Sequence, residues 1–319
     1  MKALVTGGAG FIGSNLVNHL IKKKYSVTVL DNFSTGKIEN IKDIKDSIKL
    51  YQNDLLDKNL PKEIFKDIDI VFHMAANADV RDGFKEPFKD AEQNIIATIN
   101  LAEQCKNNNI NKIFFASTAA MLAEPDIFPT PENIAIPNQT SLYGTSKLAA
   151  EGILSSYNAK YGFNVGILRF VSVVGNFYSH GHIYDFYKKL MDDKNILHIL
   201  GDGKQRKSYL HISDILSGID VITKEIFNKN NFFEIYNIGN NNYCTVTESA
   251  ERIISTLNLS PEFKYSGGER GWVGDSPFVF LDTSKLKKLG WNPKIEALDA
   301  IQQTVEWLKQ NEWIFDEKG

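Results

Sequence analysis

The sequence predicts an α/β fold: a Rossmann-type doubly wound parallel sheet with a smaller α/β lobe at the C-terminal side. Three observations carry this. Short apolar runs alternate with helical patterns through the first half of the chain. A glycine loop follows the first of those runs. After about residue 175 the pattern loosens, and glycine and aromatic residues become frequent, as in NFYSHGHIYDF (176–186) and YSGGERGWVGD (265–275). Strand–helix alternation with nearly continuous apolar strands means a parallel sheet covered on both faces.

The elements follow in order. KALVTG (2–7) is an apolar strand ending in glycines, and NLVNHLIKKK (15–24) has helical spacing with a basic end, which suits a helix C-terminus. SVTVLD (26–31), IKLYQND (48–54) and DIVFHMAA (69–76) read as the next strands. DAEQNIIATINLAEQCKN (90–107) reads as one long helix, KIFFAST (112–118) as a strand, and LYGTSKLAAEGILSSYNAKYG (142–162) as a second long helix closed by Gly162. VGILRF (165–170) is a strand again, and FFEIYNIGN (232–240) looks like one more returning to the sheet. The boundaries expected are a nucleotide domain over 1–172, with 208–240 returning to it, and a smaller lobe over 173–207 and 241–319. There is no internal repeat and no low-complexity linker.

Composition narrows the class. The 319 residues are many for a single core, which favours two lobes. The apolar share of 43% and charged share of 24% are those of an ordinary globular protein. A net charge of −3 without a strongly basic patch argues against a dedicated nucleic-acid binder. The longest apolar runs are too short to cross a bilayer, so no membrane association is expected. The opening MKALVTGG runs straight into a strand and has no signal-peptide layout. Two cysteines, Cys105 and Cys244, cannot form a disulfide framework, so a reducing cytoplasm is the expected location.

TGGAGFIG (6–13) carries Gly7, Gly10 and Gly13 in a GxxGxxG spacing between a strand and a helix. Glycines permit a tight turn and close backbone approach, and the helix N-terminus offers N–H groups and a positive dipole end to a pyrophosphate. A glycine-rich turn without a ligand is the alternative. Position and context favour a dinucleotide, because Asp31 ends the second strand where a carboxylate can take both ribose hydroxyls. Asp31 repels a 2′-phosphate and the following NFSTG has no arginine, so NAD is expected rather than NADP.

Tyr143 and Lys147 stand four apart in LYGTSK, on one face of the predicted helix. An ammonium beside a phenol favours the phenolate, and a tyrosine tuned that way acts as a base near neutral pH. By itself the spacing is common in amphipathic helices. In combination it is not. TGGAGFIG, Asp31, HMAA (73–76), Asn94, a Ser-Thr strand end and YGTSK, in that order, resemble the extended short-chain dehydrogenase/reductase family. Within it the chain resembles the NAD-dependent epimerase/dehydratase group, close to nucleotide-sugar (UDP-glucose type) 4-epimerases. The resemblance covers essentially the whole chain, and GDGKQRKSYLHISD (201–214) and RGWVGD (270–275) are similar to that group's substrate-lobe motifs.

The resemblance implies roles. Phe11 and Ile12, beside Gly7, Gly10 and Gly13, lend backbone N–H groups to the pyrophosphate of NAD. Asp31 and Asn32 hold the adenosine ribose, Asp54 with Leu55 meets the adenine, and Ala75, Ala76 and Asn94 belong to the cofactor channel. Lys147 bonds the nicotinamide ribose and tunes Tyr143. Thr118, 25 positions before the tyrosine, takes the place of the catalytic Ser/Thr and holds the oxygen that Tyr143 deprotonates. The smaller lobe becomes a substrate-binding lobe for a nucleotide-diphosphate sugar, with Arg206 or Lys207, and Arg270, as phosphate ligands and Ser172 near the sugar. A homodimer built on the helices of 90–107 and 142–162 is part of the same expectation, and no metal is implied.

The departures from the family pattern shape the reaction. Dehydratases of the family follow the Thr with Asp-Glu, whereas here Ala119-Ala120 follow, so 4,6-dehydration is not expected. Leu122-Ala123 stand where epimerases carry Tyr-Gly, Ser172 stands for an Asn, and Lys207-Ser208 replace Arg-Asp. A 4-epimerase working through a 4-keto sugar is the leading reading. A 4-dehydrogenase that releases the keto sugar is the second, and a non-catalytic NAD-binding protein on the same fold is the third. His73 reads as a packing and hydrogen-bonding residue, Cys105 as core, and His180 and His182 lack a third ligand at zinc spacing.

Overall fold

The computed structural model describes residues 1–80, 83–271 and 275–316. It divides into two compact units. The first comprises 1–123, 135–170 and 218–237, and the second 124–134, 171–217 and 238–319.

The first unit is built on a seven-stranded sheet. Strands β1 (Lys2–Thr6), β2 (Ser26–Asp31), β3 (Ile48–Gln52), β4 (Ile70–His73), β5 (Lys112–Thr118) and β6 (Asn164–Phe170) are joined at one edge by Phe233–Ile238. Read from that edge, the order is Phe233–Ile238, β6, β5, β4, β1, β2, β3. Every pairing among β1 to β6 is parallel. This is the doubly wound order, and its direction of winding reverses between β1 and β4. In such sheets ligands bind beyond the strand C-terminal ends at that reversal. The strands are apolar because both faces are covered: Leu4, Leu30, Val71, Ile113, Phe115 and Val165 share one core with Leu101, Cys105, Ala150 and Leu154.

Helices follow the strands. Helix α1 (Phe11–Lys22) begins directly on the glycine loop, four residues before the apolar spacing alone indicates, with Gly10 as its N-cap. The long helix expected over 90–107 is three segments: α2 (Pro87–Asp90), a π-helical stretch over Ala91–Ile96 and α3 (Ala97–Asn107). A π turn holds one extra residue and re-aims the side chains within it; here it contains the buried Asn94. Helix α4 (Leu142–Tyr161) matches its expectation at both ends. The Ser141 hydroxyl accepts from the Gly144 N–H at 3.0 Å, and Gly162 closes the helix in the left-handed conformation.

The second unit is made of short strands and amphipathic helices. Ser172–Val174 pairs in parallel with Tyr209–His211, and Ile196–Ile199 with Glu262–Tyr265. Arg206–Lys207 lies between Cys244–Thr245 and Phe278–Val279. The helix Val246–Leu257 opens on a capping box formed by Thr245 and Glu248. The Asp214 carboxylate accepts from the Lys294 and Ile295 N–H groups, and its carbonyl accepts from the Trp291 indole, tying 291–295 down. Among the described residues, no helix is long and apolar enough to cross a membrane.

Candidate active site

The glycine loop is shaped by contacts that a side chain would destroy. Gly7 has φ +67°, and a Cβ there would stand 2.7 Å from the Ala75 backbone. A Cβ on Gly13 would fall 2.0 Å from the Gly7 carbonyl oxygen. The loop, the start of α1 and the end of β4 are thus packed backbone to backbone. Gly10 differs, since a Cβ there would meet only the Gly7 oxygen, at 3.3 Å. A side chain on Gly10 would fill space over the first helical turn that glycine leaves clear. That turn has no acidic residue and no side-chain cap, so its positive dipole end is not neutralised from within. These residues fit a dinucleotide pyrophosphate.

Asp31 ends β2 and is 7% exposed. One of its carboxylate oxygens accepts from the Ala9 N–H and the other from the Phe33 N–H, each at 2.8 Å, which fixes the carboxylate against the glycine loop. Asn32 donates to Asp54 at 2.7 Å, and Gln93 donates to the same oxygen at 3.3 Å. The Leu55 side chain is buried in the core of the first unit, and its carbonyl accepts from Asn100. Ala75 and Ala76 are half-buried at the end of β4.

Strand β5 places two adjacent hydroxyls on opposite faces, as strand alternation requires. Ser117 faces the core and donates to Glu151 at 2.5 Å. Arg169 on β6 holds the same carboxylate through two bonds, at 3.0 and 2.7 Å. All three are buried. Thr118 is half-buried, caps the next turn by accepting from the Ala120 N–H, and hydrogen-bonds the Tyr143 phenol. Immediately beyond, Ala123 has φ +45° and ψ −105°, a conformation that costs a residue with a Cβ about 1–3 kcal/mol.

Lys147 is 2% exposed, and its ammonium nitrogen lies 4.2 Å from the centre of the Phe115 ring. Burial lowers its pKa to about 7, against an opposing pull from Glu151 one turn on. Tyr143 departs from the expectation that Lys147 depresses it. Burial is the largest influence and pushes the phenol up to about 12; the Thr118 bond works against this, and the charge of Asp90 adds to it. In the chain alone the phenol is neutral at physiological pH, because desolvation outweighs the hydrogen bond.

The expected phosphate ligands lie in the second unit. Arg206 is exposed and its guanidinium stacks 3.8 Å above the Phe278 ring. Lys207 is ion-paired with Asp275 at 2.6 Å and also donates to the Ser276 carbonyl. Arg270 grips Glu124 through both terminal nitrogens and donates to the Asp275 carbonyl at 3.1 Å. Ser172 is exposed on its short strand. Residues 272–274 of the RGWVGD motif lie outside the described residues.

Comparison with known proteins decides the family. The model of the NAD dependent epimerase/dehydratase family matches residues 3–239. A putative UDP-glucose 4-epimerase of Methanocaldococcus jannaschii is 35% identical over 97% of this chain and 98% of its own length. The chain belongs to the NAD dependent epimerase/dehydratase family. The crystal structure of a UDP-galactose 4-epimerase superposes with a TM-score of 0.88 at 34% identity, covering 98% of this chain and all of that one. The UDP-glucose 4-epimerase of Thermus thermophilus, solved in complex with NAD, gives 0.83 at 30% identity, over 97% of this chain and 99% of that one.

As a family member the chain uses NAD, and the glycine cradle and the anchored Asp31 suit that cofactor. The first unit brings the glycine loop, Asp31, Asn32 and Asp54 into one bonded set. It brings Thr118 and Tyr143 into another, with Lys147 one turn along α4. Sequence reasoning missed the supports beneath them. Glu151 continues the Tyr143–Lys147 face at i+4 and Arg169 interrupts an apolar strand; both were legible as charges at core positions. His73 is buried between the Thr6 and Thr98 hydroxyls, at 2.8 and 3.1 Å, as a packing residue. His182 is likewise internal, paired with Ser249 at 2.8 Å.

Proposed function

We propose that the protein is a nucleotide-sugar 4-epimerase whose reaction is carried by Thr118, Tyr143 and Lys147. The observation that carries this reading is the Thr118–Tyr143 hydroxyl pair on the helix face that also holds the buried Lys147, followed by Ala119 and Ala120 instead of carboxylates. A hydroxyl pair of this kind serves proton transfer at one oxygen, and the two alanines that follow Thr118 supply neither acid nor base for eliminating water. The names of some relatives support the same reading, since proteins similar to the chain include a putative UDP-glucose 4-epimerase and a UDP-galactose 4-epimerase, beside 4,6-dehydratases that the two alanines argue against.

NAD, when bound, supplies a positively charged acceptor that takes the C4 hydride and gives it back. Tyr143 takes the C4 hydroxyl proton as that carbon becomes a carbonyl, and returns it when the carbonyl is reduced on its other face. Thr118 donates to the same oxygen and holds it in line with the phenol. Lys147 bonds the nicotinamide ribose and keeps positive charge on the Tyr143 side of the helix. The phenol of the chain alone is neutral, so Tyr143 depends on added positive charge to act as a base. Gly7, Gly10, Phe11, Ile12 and Gly13 receive the pyrophosphate, Asp31 and Asn32 the adenosine ribose, and Asp54 with Leu55 the adenine. Ala75, Ala76 and Asn94 complete the cofactor channel.

The first unit is the NAD-binding domain in this proposal, and the second is the nucleotide-sugar lobe. Lys207 and Arg270 are its diphosphate ligands. Arg206 is set aside because neighbouring strand residues face opposite ways and its guanidinium is stacked on Phe278. Ser172 is placed by the sugar. The proposal includes a homodimer on the helical segments of 90–107 and 142–162, supported by the exposed Ile96 and Tyr161; light scattering at micromolar concentration tests it. Two free, buried thiols fit a reducing cytoplasm.

A 4-dehydrogenase that releases the keto sugar is the second reading. It is favoured by Leu122-Ala123, where the strained Ala123 backbone marks a substrate loop unlike the family's usual one. One experiment separates the two. The protein is incubated with NAD and a panel of UDP-, GDP- and dTDP-sugars. The epimerase reading expects a C4-inverted sugar without net NADH. A 4-keto product with equimolar NADH supports the dehydrogenase, and no turnover on any sugar overturns both.

A further inference from the structure

Asp90, at the end of α2, is 1% exposed. One of its oxygens accepts from the Asn77 amide at 2.8 Å and, more distantly, from the Asn94 amide at 3.4 Å. The other oxygen is buried and has no partner among the described residues. Gly83 makes room for it, since a Cβ there would stand 2.7 Å from that oxygen and 3.3 Å from the Leu142 side chain. Among the described residues no cation is ion-paired with this carboxyl; burying it costs stability, and an asparagine would serve the same two amide donors without a charge. The fold therefore carries an acid where packing does not ask for one.

The contacts lead from Asp90 to the turn that bears Tyr143. Asn94 accepts from the Asn77 N–H at 2.9 Å and donates to the Ser146 hydroxyl at 2.9 Å. Ser146 in turn donates to the Tyr143 carbonyl at 2.8 Å. The π-helical stretch that starts one residue after Asp90 is what turns Asn94 into this chain. We propose that Asp90 is a positioning residue for Tyr143: it aligns Asn94, and through Asn94 the Ser146 hydroxyl on the first turn of α4, and it faces Tyr143 with a negative charge. This rests on the reading of Tyr143 as the proton acceptor.

The electrostatics agree with the geometry. Asp90 raises the Tyr143 pKa, and burial raises its own. Among the described residues, the other charged groups that act on Asp90 are Asp79, which raises it, and Lys89, which lowers it. Lys147 lies one turn beyond Tyr143 on α4. Removing the Asp90 charge lets Tyr143 ionise at lower pH.

The test compares D90N with the parent enzyme, NAD-loaded, in the pH dependence of kcat/KM on the best sugar of the panel. D90N keeps an acceptor for Asn77 and Asn94 and removes the charge. The acid limb is expected to move down by about half to one pH unit, with the melting temperature close to that of the parent. The same shift is expected in the tyrosinate signal of Tyr143, followed by 13C-tyrosine NMR with Y143F as the blank. S146A cuts the chain from the other side and is expected to lower kcat several-fold with KM unchanged. An acid limb and a tyrosinate signal that both stay in place in D90N overturn the proposal, as does S146A at full kcat. A parent enzyme without turnover on any sugar refutes the epimerase reading instead, and the NMR shift then decides on Asp90 alone.

Discussion

Ser117 donates a 2.5 Å hydrogen bond to Glu151, and that carboxylate is gripped from its other side by Arg169. This triad lies under the strand end whose next residue, Thr118, bonds Tyr143. Two neighbouring hydroxyls thus divide the labour, Ser117 holding the strand to α4 and Thr118 meeting the phenol. Glu151→Ala takes the carboxylate away from a buried guanidinium, and about 3–5 kcal/mol of stability is expected to go with it. Ser117→Ala removes one bond and is expected to cost about 1–3 kcal/mol with turnover within a few-fold of the parent. Urea unfolding and steady-state rates check both.

Tyr143→Phe removes the proton acceptor and keeps the ring. Turnover is expected to fall by about 10² to 10⁴ while NAD still binds. Thr118→Val is expected to lower kcat in the same range, with a smaller change in KM. Stopped assays and calorimetric NAD titration read the two effects separately. A fully active Tyr143→Phe enzyme would refute the role.

His73 contributes to acid sensitivity. Burial lowers its pKa to about 3, with the Lys147 charge adding to the effect. The folded state therefore holds His73 neutral, and below pH 6.5 the unfolded chain binds a proton that the folded one does not. Stability from this group is present at neutral pH and is lost as pH falls from 6.5 toward 3, by about 3 kcal/mol at pH 4. His73→Gln, which stays neutral throughout, is expected to flatten that part of the stability curve. Chemical denaturation of both proteins between pH 4 and 7 measures the difference.

Asp31 is expected to set cofactor preference. Its carboxylate is pinned to the glycine loop through Ala9 and would face a 2′-phosphate with like charge. NAD is expected to bind more tightly than NADP, and Asp31→Ala to narrow the gap. Tighter NADP binding by the parent protein would contradict the assignment.

Much of the fold was legible because parallel strands buried on both faces write themselves as apolar runs, and because α4 carries a cap at Ser141 and a stop at Gly162. The start of α1 was not, since its first turn, Phe11 to Ser14, overlaps the glycine loop and reads as part of it. The π-helical stretch at Ala91–Ile96 was also hidden: one inserted residue barely disturbs the helical spacing, and its cause is the buried amide network of Asn94. Within the site, Thr118, Tyr143 and Lys147 could be picked out through the family resemblance that the order of motifs carries, not by spacing alone. Lys147 could not be seen to rest on Phe115, nor Leu55 to sink into the core, because both depend on which way a side chain turns after folding. The pairing of Lys207 with Asp275 and of Arg270 with Glu124 joins residues far apart in sequence and left no local signal.

In the 4-epimerase reading, hydride leaves C4 and returns to the same carbon. A UDP-sugar deuterated at C4 tests it, once the panel has identified a UDP-sugar that turns over. The C4-inverted product is expected to keep its deuterium at C4, with none in the solvent and no NADH accumulating. Loss of deuterium to water, or a 4-keto product with deuterated NADH, would contradict it.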